Sequence, residues 1–234
     1  MQGQILLIPI TLGDSELHHV IPADVQTITK NIKHYIVENE RTARRFLKKT
    51  DKSVVIEDIT FYLMDKHTKD EEYIKYFAPI FDGKDVGVMS EAGCPGIADP
   101  GAEVVRIAHQ KGIRVIPYVG PSSILLALIS SGMNGQNFAF NGYLPIDQSD
   151  RSNALRSLEA RSKKERQTQI FIETPFRNNK FLEEFTKTCM PTTRLCVACD
   201  ITLDTEFIRT QTIADWKKKL PDLNKRPAIF LIQA

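Results

Sequence analysis

The 234-residue chain is poor in cysteine, carries a single tryptophan and contains no apolar run near the roughly 20 residues that cross a bilayer. A transmembrane segment is therefore not expected. The first apolar stretch, residues 4–10, has no basic flank before it and no small-residue cleavage site after it, so a secretory signal is not expected either. Both absences point to a cytoplasmic protein. Four irregularly spaced cysteines are too few for a disulfide framework. Only Cys196 and Cys199 have the CxxC spacing that invites a zinc or redox reading. They fall in a short apolar run that reads as a buried strand, where residues three apart face opposite ways, so core cysteines and no metal are expected. Charge of one sign is lacking as well. The formal net charge of +2 is too small to demand a nucleic-acid partner.

What is present is the composition of a soluble globular protein, 42% apolar and 26% charged. The balance of charge shifts along the chain. Residues 1–117 carry 15 Lys+Arg and 17 Asp+Glu, whereas residues 118–234 carry 16 and 12. Basic clusters occur at Arg41, Arg44, Arg45, Lys48, Lys49 and Lys52, and again over residues 151–166. Such runs form solvated helix faces or phosphate contacts. Short apolar runs at residues 4–10, 34–37, 53–56, 85–89 and 114–118 alternate with helical patterns at 22–29, 40–49, 70–81 and 101–111. Such alternation predicts an α/β domain with a mainly parallel sheet. Beyond Tyr118-Val119-Gly120-Pro121 the pattern changes. An apolar helix over 122–130 precedes strands at 138–144, 168–173, 194–200, 206–212 and 228–232, with helices at 151–161 and 175–189. The short connection at Leu203-Asp204 predicts a hairpin and a mixed sheet. Two α/β domains are expected, 1–118 and 119–234.

Open α/β sheets take ligands beyond the carboxyl ends of their strands, which singles out three loops. The first is Pro9-Ile10-Thr11-Leu12-Gly13-Asp14, which lacks GxGxxG and so is not a dinucleotide cradle. The second, residues 90–101, has three glycines and two prolines in twelve positions. Glycine admits close backbone approach and proline fixes the path of a loop. The third, Gly120-Pro121-Ser122-Ser123, places amides and hydroxyls at a helix start, where a serine is also an ordinary cap.

Taken in order, these loops resemble the tetrapyrrole methylase superfamily of S-adenosylmethionine (SAM)-dependent methyltransferases. The resemblance is strongest to the bacterial branch that methylates a ribose 2′-hydroxyl of small-subunit ribosomal RNA. The first loop is similar to PTPIGN and the second to SDAGTPxxxDPG, with Glu91 and Cys94 substituted. Asn141-Gly142-Tyr143-Leu144-Pro145 is similar to EGFLP, Ile172-Glu173-Thr174-Pro175-Phe176-Arg177 to YESPHR, and Cys199-Asp200-Ile201-Thr202-Leu203 to RELTK. The similarity spans nearly the whole chain. It implies two α/β domains with SAM in a cleft between them, and a homodimer. The cofactor contacts it implies are Pro9, Ala92, Gly93, Cys94, Pro95, Ile97, Ser122 and Ser123, with Glu173, Ile201, Pro227 and Ala228 from the second domain.

Methyl transfer to a ribose hydroxyl needs alignment and a proton acceptor. The expected acceptors are three carboxylates at strand ends, Glu38, Glu173 and Asp200; Arg41 and Arg177 are the expected phosphate contacts. The chain departs from the branch at Asn39, Phe176 and Leu203, which stand where its aspartate, histidine and lysine occur. Three functions stay open on sequence: an rRNA ribose methyltransferase, a methyltransferase for a tetrapyrrole or other small molecule, and a SAM-binding module without turnover.

Overall fold

The apolar run that opens the chain becomes the strand Ile5–Leu7 (β1), and it lies inside a sheet because both of its faces are apolar. The computed structural model describes residues 2–234. In the first part of the chain β1 joins His34–Val37 (β2), Thr60–Leu63 (β3), Val86–Met89 (β4) and Val115–Pro117 (β5). All pairings are parallel, in the order β3-β2-β4-β1-β5. Parallel neighbours require crossovers, which carry the helices Leu17–Val20 (α1), Ala23–Asn31 (α2), Glu40–Thr50 (α3), Asp70–Tyr76 (α4), Ala78–Phe81 (α5) and Gly101–Gln110 (α6). Successive strand residues serve opposite faces. Leu6, Tyr35 and Val37 pack against Val25, Phe46 and Leu47, while Ile5, Ile36 and Val88 pack against Tyr73, Phe77 and Ile107. Covering both faces explains why these strands read as continuous apolar runs.

Two expectations fail here. Residues 53–56 are not a strand. The Asp51 carboxylate accepts hydrogen bonds from the Ser53 amide (2.8 Å) and hydroxyl (2.6 Å), and the chain turns into a 3-10 helix at Ile56–Asp58. Val54 and Ile56 are buried by that turn, and the strand forms four residues later as β3. The single helix expected over 70–81 is broken at Phe77. Pro79, at the start of α5, has no amide to continue the helical ladder.

In the second part, Phe138–Phe140 (β6), Thr168–Ile172 (β7), Arg194–Cys199 (β8), Phe207–Thr212 (β9) and Ala228–Gln233 (β10) form a mixed sheet ordered β6-β7-β10-β8-β9. Only β6 and β7 are parallel. The helices are Ser123–Ser131 (α7), Gln148–Glu165 (α8), Asn178–Thr188 (α9) and Ile213–Trp216 (α10). Helix α8 outruns its expected span of 151–161. Asp147 caps its start by accepting from the Asp150 amide (3.0 Å), and Arg166 ends it at a left-handed φ of 51°. One core forms where Phe171, Phe181, Phe185 and Phe230 meet ring to ring, the closest centroids 4.7 Å apart. Cys199 joins that core with Leu195 and Val197, while Cys196 points to the other face of β8. The chain divides into two compact units, residues 1–122 and 123–234.

Candidate functional site

Strands β4, β1 and β5 are neighbours, so the segments leaving their carboxyl ends emerge side by side. They interlock. The Ile10 amide donates to the Gly93 carbonyl (2.9 Å) in an isolated antiparallel bridge that ties the first loop to the second. Gly93 holds a left-handed φ of 70°, and a Cβ there would stand 3.1 Å from both Leu12 Cδ2 and the Pro121 carbonyl oxygen. Gly120 is tighter still, because its Cβ would fall 2.1 Å from Pro9 Cβ. Where the three loops meet, glycine backbone packs against Leu12, Pro9 and the Pro121 carbonyl. The Cys94 thiol donates to the Pro121 carbonyl (3.4 Å), and burial raises its pKa, so it stays protonated.

Asp99 shapes the remainder of the second loop. Its carboxylate accepts from the Gly96 amide (2.9 Å) and the Gly101 amide (2.7 Å), folding residues 96–101 onto themselves ahead of α6. Ala98 takes a left-handed φ of 61° in that closed turn, and Ile97 stands exposed beside it.

Glu38 follows β2, the other neighbour of β4. Its half-buried carboxylate accepts from the Glu91 amide (2.9 Å) at the start of the second loop. Burial raises its pKa above the ordinary glutamate value. The Glu91 N–H pulls it back, and the charges of Asp99 and Glu91 push it further up. Asn39 caps α3, its side-chain oxygen accepting from the Thr42 amide (3.2 Å). The aspartate of the related branch is an equally good cap, so this departure preserves local structure. Arg41 lies exposed in the first turn of α3.

In the second unit, sheet register gathers Glu173, Asp200, Ile201, Pro227 and Ala228 at one end. Ala228 pairs with Cys199 and Ile229 with Ile172, and the Asp200 amide donates to the Pro227 carbonyl (2.9 Å). Glu173 is buried, and its Oε1 accepts from Arg177 Nη2 (2.7 Å), Arg177 Nε (3.0 Å) and the Thr174 amide (2.6 Å). Asp200 is buried at a left-handed φ of 51°. Its Oδ2 accepts from Arg226 Nε (2.8 Å) and the Thr205 hydroxyl (2.9 Å). Arginines thus engage two of the three expected proton acceptors. Among the described residues, Glu38 alone of the three makes no ion pair. Arg177, expected to meet phosphate, is committed in part to Glu173. Leu203 lies in the turn after β8, and Phe176 is exposed. Ser122 ends the first unit, and Ser123 is the first residue of α7.

Sequence reasoning missed the clamp made by Asp99, although the residue sits inside the quoted second-loop motif. It also missed Arg226 as the partner of Asp200. That pair joins residues 26 apart, and no spacing announces it.

The donor set suits a cofactor held by main chain. Adenosine and an amino-acid zwitterion can be held by main chain and small side chains, and Ala92, Gly93 and Ser122 of the first unit are residues of that kind.

Residues 18–217 match the family described as Tetrapyrrole (Corrin/Porphyrin) Methylases. A Ribosomal RNA small subunit methyltransferase I from Leptospira borgpetersenii is 30% identical over 239 residues, covering 99% of this chain and 88% of that protein. The protein of the same name from Escherichia coli O157:H7 is 27% identical over 74% of this chain, and the match spans 60% of its own length. The Pseudomonas aeruginosa protein of that name is 32% identical over 64% of this chain and 53% of its own. Against several relatives, then, the match reaches little more than half their length. Among solved structures, the methyltransferase CobJ superposes with a TM-score of 0.65 at 15% identity, covering 99% of this chain and 94% of that one. The chain belongs to the tetrapyrrole methylase family.

Proposed function

We propose that the protein is a SAM-dependent methyltransferase that modifies a ribose 2′-hydroxyl of small-subunit ribosomal RNA. The observation that carries this reading is the interlocked backbone at Gly93, where the loops leaving β1, β4 and β5 meet. The names of the relatives add the RNA acceptor. In this reading Pro9, Ala92, Gly93, Cys94, Pro95, Ile97 and Ser122 of the first unit hold SAM. Ser123, Glu173, Ile201, Pro227 and Ala228 of the second unit complete the set. When bound, SAM supplies a methyl group on a cationic sulfur.

Glu38 is the proton acceptor in this reading. It is half-buried, free of ion pairs and raised in pKa, which suits a general base, whereas Glu173 and Asp200 serve to hold Arg177 and Arg226. Arg41 and Arg177 contribute to phosphate recognition. No helix among the described residues is long and apolar enough to cross a membrane. The enzyme acts in the cytoplasm, where its substrate is made. It works as a homodimer, a reading supported by the exposed apolar pair Leu125 and Ile129 on α7.

The test is tritium transfer from methyl-labelled SAM to unmethylated small ribosomal subunits, naked rRNA and porphyrinogen-type compounds in parallel. Label confined to one rRNA ribose is the expected result. Label only in the tetrapyrrole overturns the acceptor, and tight SAM binding without any S-adenosylhomocysteine overturns the catalytic reading.

A further inference from the structure

A groove of about 310 Å³ runs between the first loop and α3, entirely within the first unit. Its size is that of a small-ligand site. It is lined by residues 10–14, by Thr42, Arg45, Phe46 and Lys49 of α3, and by Glu91 of the second loop. Arg45 is exposed and makes no hydrogen bond or ion pair among the described residues; its charge acts on Asp14 only through space. Lys49 Nζ donates to Asp14 Oδ1 at 2.7 Å, but the Asp14 side chain is 91% exposed. An ion pair with one partner that open to water is weakly held and readily exchanged for a stronger anion.

The rest of α3 behaves differently. Arg44 is bound to Glu40 and lies over the Phe61 ring, 5.6 Å from its centroid, and Lys48 donates to the Lys52 carbonyl (3.2 Å). Only Arg45 and Lys49, one helical turn apart, present their charge to the groove.

We propose that this groove seats a backbone phosphate of the RNA substrate, gripped by Arg45 and Lys49, with Asp14 as the counter-ion that the phosphate displaces. The inference rests on the RNA reading above and gives that substrate a place on the first unit, beside Glu91 and the cofactor loops. A guanidinium pairs with two phosphate oxygens at once, and an ammonium adds a point charge that needs no fixed geometry. Thr42 adds a hydroxyl to the groove about one turn before Arg45.

The opposite effects expected from its two kinds of charge make the site testable. Binding of a short fluorescein-labelled single-stranded RNA to the intact protein is followed by anisotropy across a salt series. Arg45→Ala and Lys49→Ala should each weaken binding about tenfold. Each should also flatten the slope of log K against log salt by about 0.7, the share of one phosphate on a single strand. Asp14→Asn should tighten binding, because it frees Lys49. Arg44→Ala removes the same charge from the same helix outside the groove and should change affinity less than twofold. Unchanged SAM affinity in all four variants establishes that the fold is intact. Equal losses for Arg44→Ala and Arg45→Ala, or weaker binding by Asp14→Asn, overturn the site. If the variants order as expected but tritium never enters rRNA, the phosphate seat stands and the methyl-acceptor reading falls. If rRNA is methylated and the variants do not order, the reverse holds.

Discussion

Gly120 lies against Pro9 so closely that a single added methyl group would stand 2.1 Å from the proline Cβ and 2.4 Å from its Cγ. Neither atom can yield, since both belong to a ring fixed to the backbone. Gly120→Ala must therefore separate the first and third loops, at a cost of about 1–3 kcal/mol for overpacking. The melting temperature should fall and SAM affinity with it. The same substitution in a Pro9→Gly background should cost measurably less, because the colliding atoms are gone. A double-mutant cycle reads this coupling directly, and additive losses would refute the contact as the cause.

Glu38 provides a pH signature. Burial holds its proton to a higher pH than the ordinary glutamate value of 4.5. A base must be ionised to accept a proton, so kcat/KM should fall as pH drops through that raised value. The acid limb should therefore sit above 4.5. Glu38→Gln keeps an oxygen to accept from the Glu91 amide while removing the base. It should erase the acid limb and slow transfer by about 10²–10⁴-fold, with SAM affinity nearly unchanged. A Glu38→Gln enzyme with full rate and the original pH profile would move the base elsewhere.

The legibility of the chain follows burial. Strands β1, β2 and β4 are central and apolar on both faces, so their runs stand out in sequence. β3 is an edge strand whose residues are only partly covered, and its weak signal lost to the more apolar residues 53–56. The three loops at the strand ends stood out in sequence because glycine and proline mark special backbone wherever they fall. The carboxylates could not be ranked. Glu38, Glu173 and Asp200 all end strands, and what separates them is the presence of Arg177 or Arg226. Arg177 is four residues from Glu173 and visible in the motif, but Arg226 reaches Asp200 only through the pairing of β10 with β8.

That last pair predicts a variant with a structural and not a catalytic effect. Asp200 has a left-handed backbone that asparagine tolerates equally well, so Asp200→Asn tests the ion pair without straining the chain. Losing the charge-assisted bond should cost about 1–2 kcal/mol, at the lower end because Arg226 is partly open to water. Thermal unfolding should shift downward while kcat per folded molecule and its pH profile stay close to wild type. A large fall in kcat with an unchanged melting temperature would instead make Asp200 the acceptor.

The four thiols divide by position, which gives the loops a chemical reporter. Cys189, Cys196 and Cys199 are buried, and burial pushes Cys189 to about 12 and Cys199 to about 11. At neutral pH these two are almost wholly protonated, and all three are shielded from reagents. Cys94 is only partly buried, between the second and third loops, with its thiol donating to Pro121. A maleimide at neutral pH should therefore modify the native protein at one site, Cys94, and slowly, because burial raises that thiol too. All four should react in denaturant. Saturating SAM should slow the single native reaction further if Cys94 lines the cofactor site, and peptide mapping identifies the residue. Protection by SAM of a site other than Cys94, or labelling of Cys94 indifferent to SAM, would place the cofactor away from the second loop.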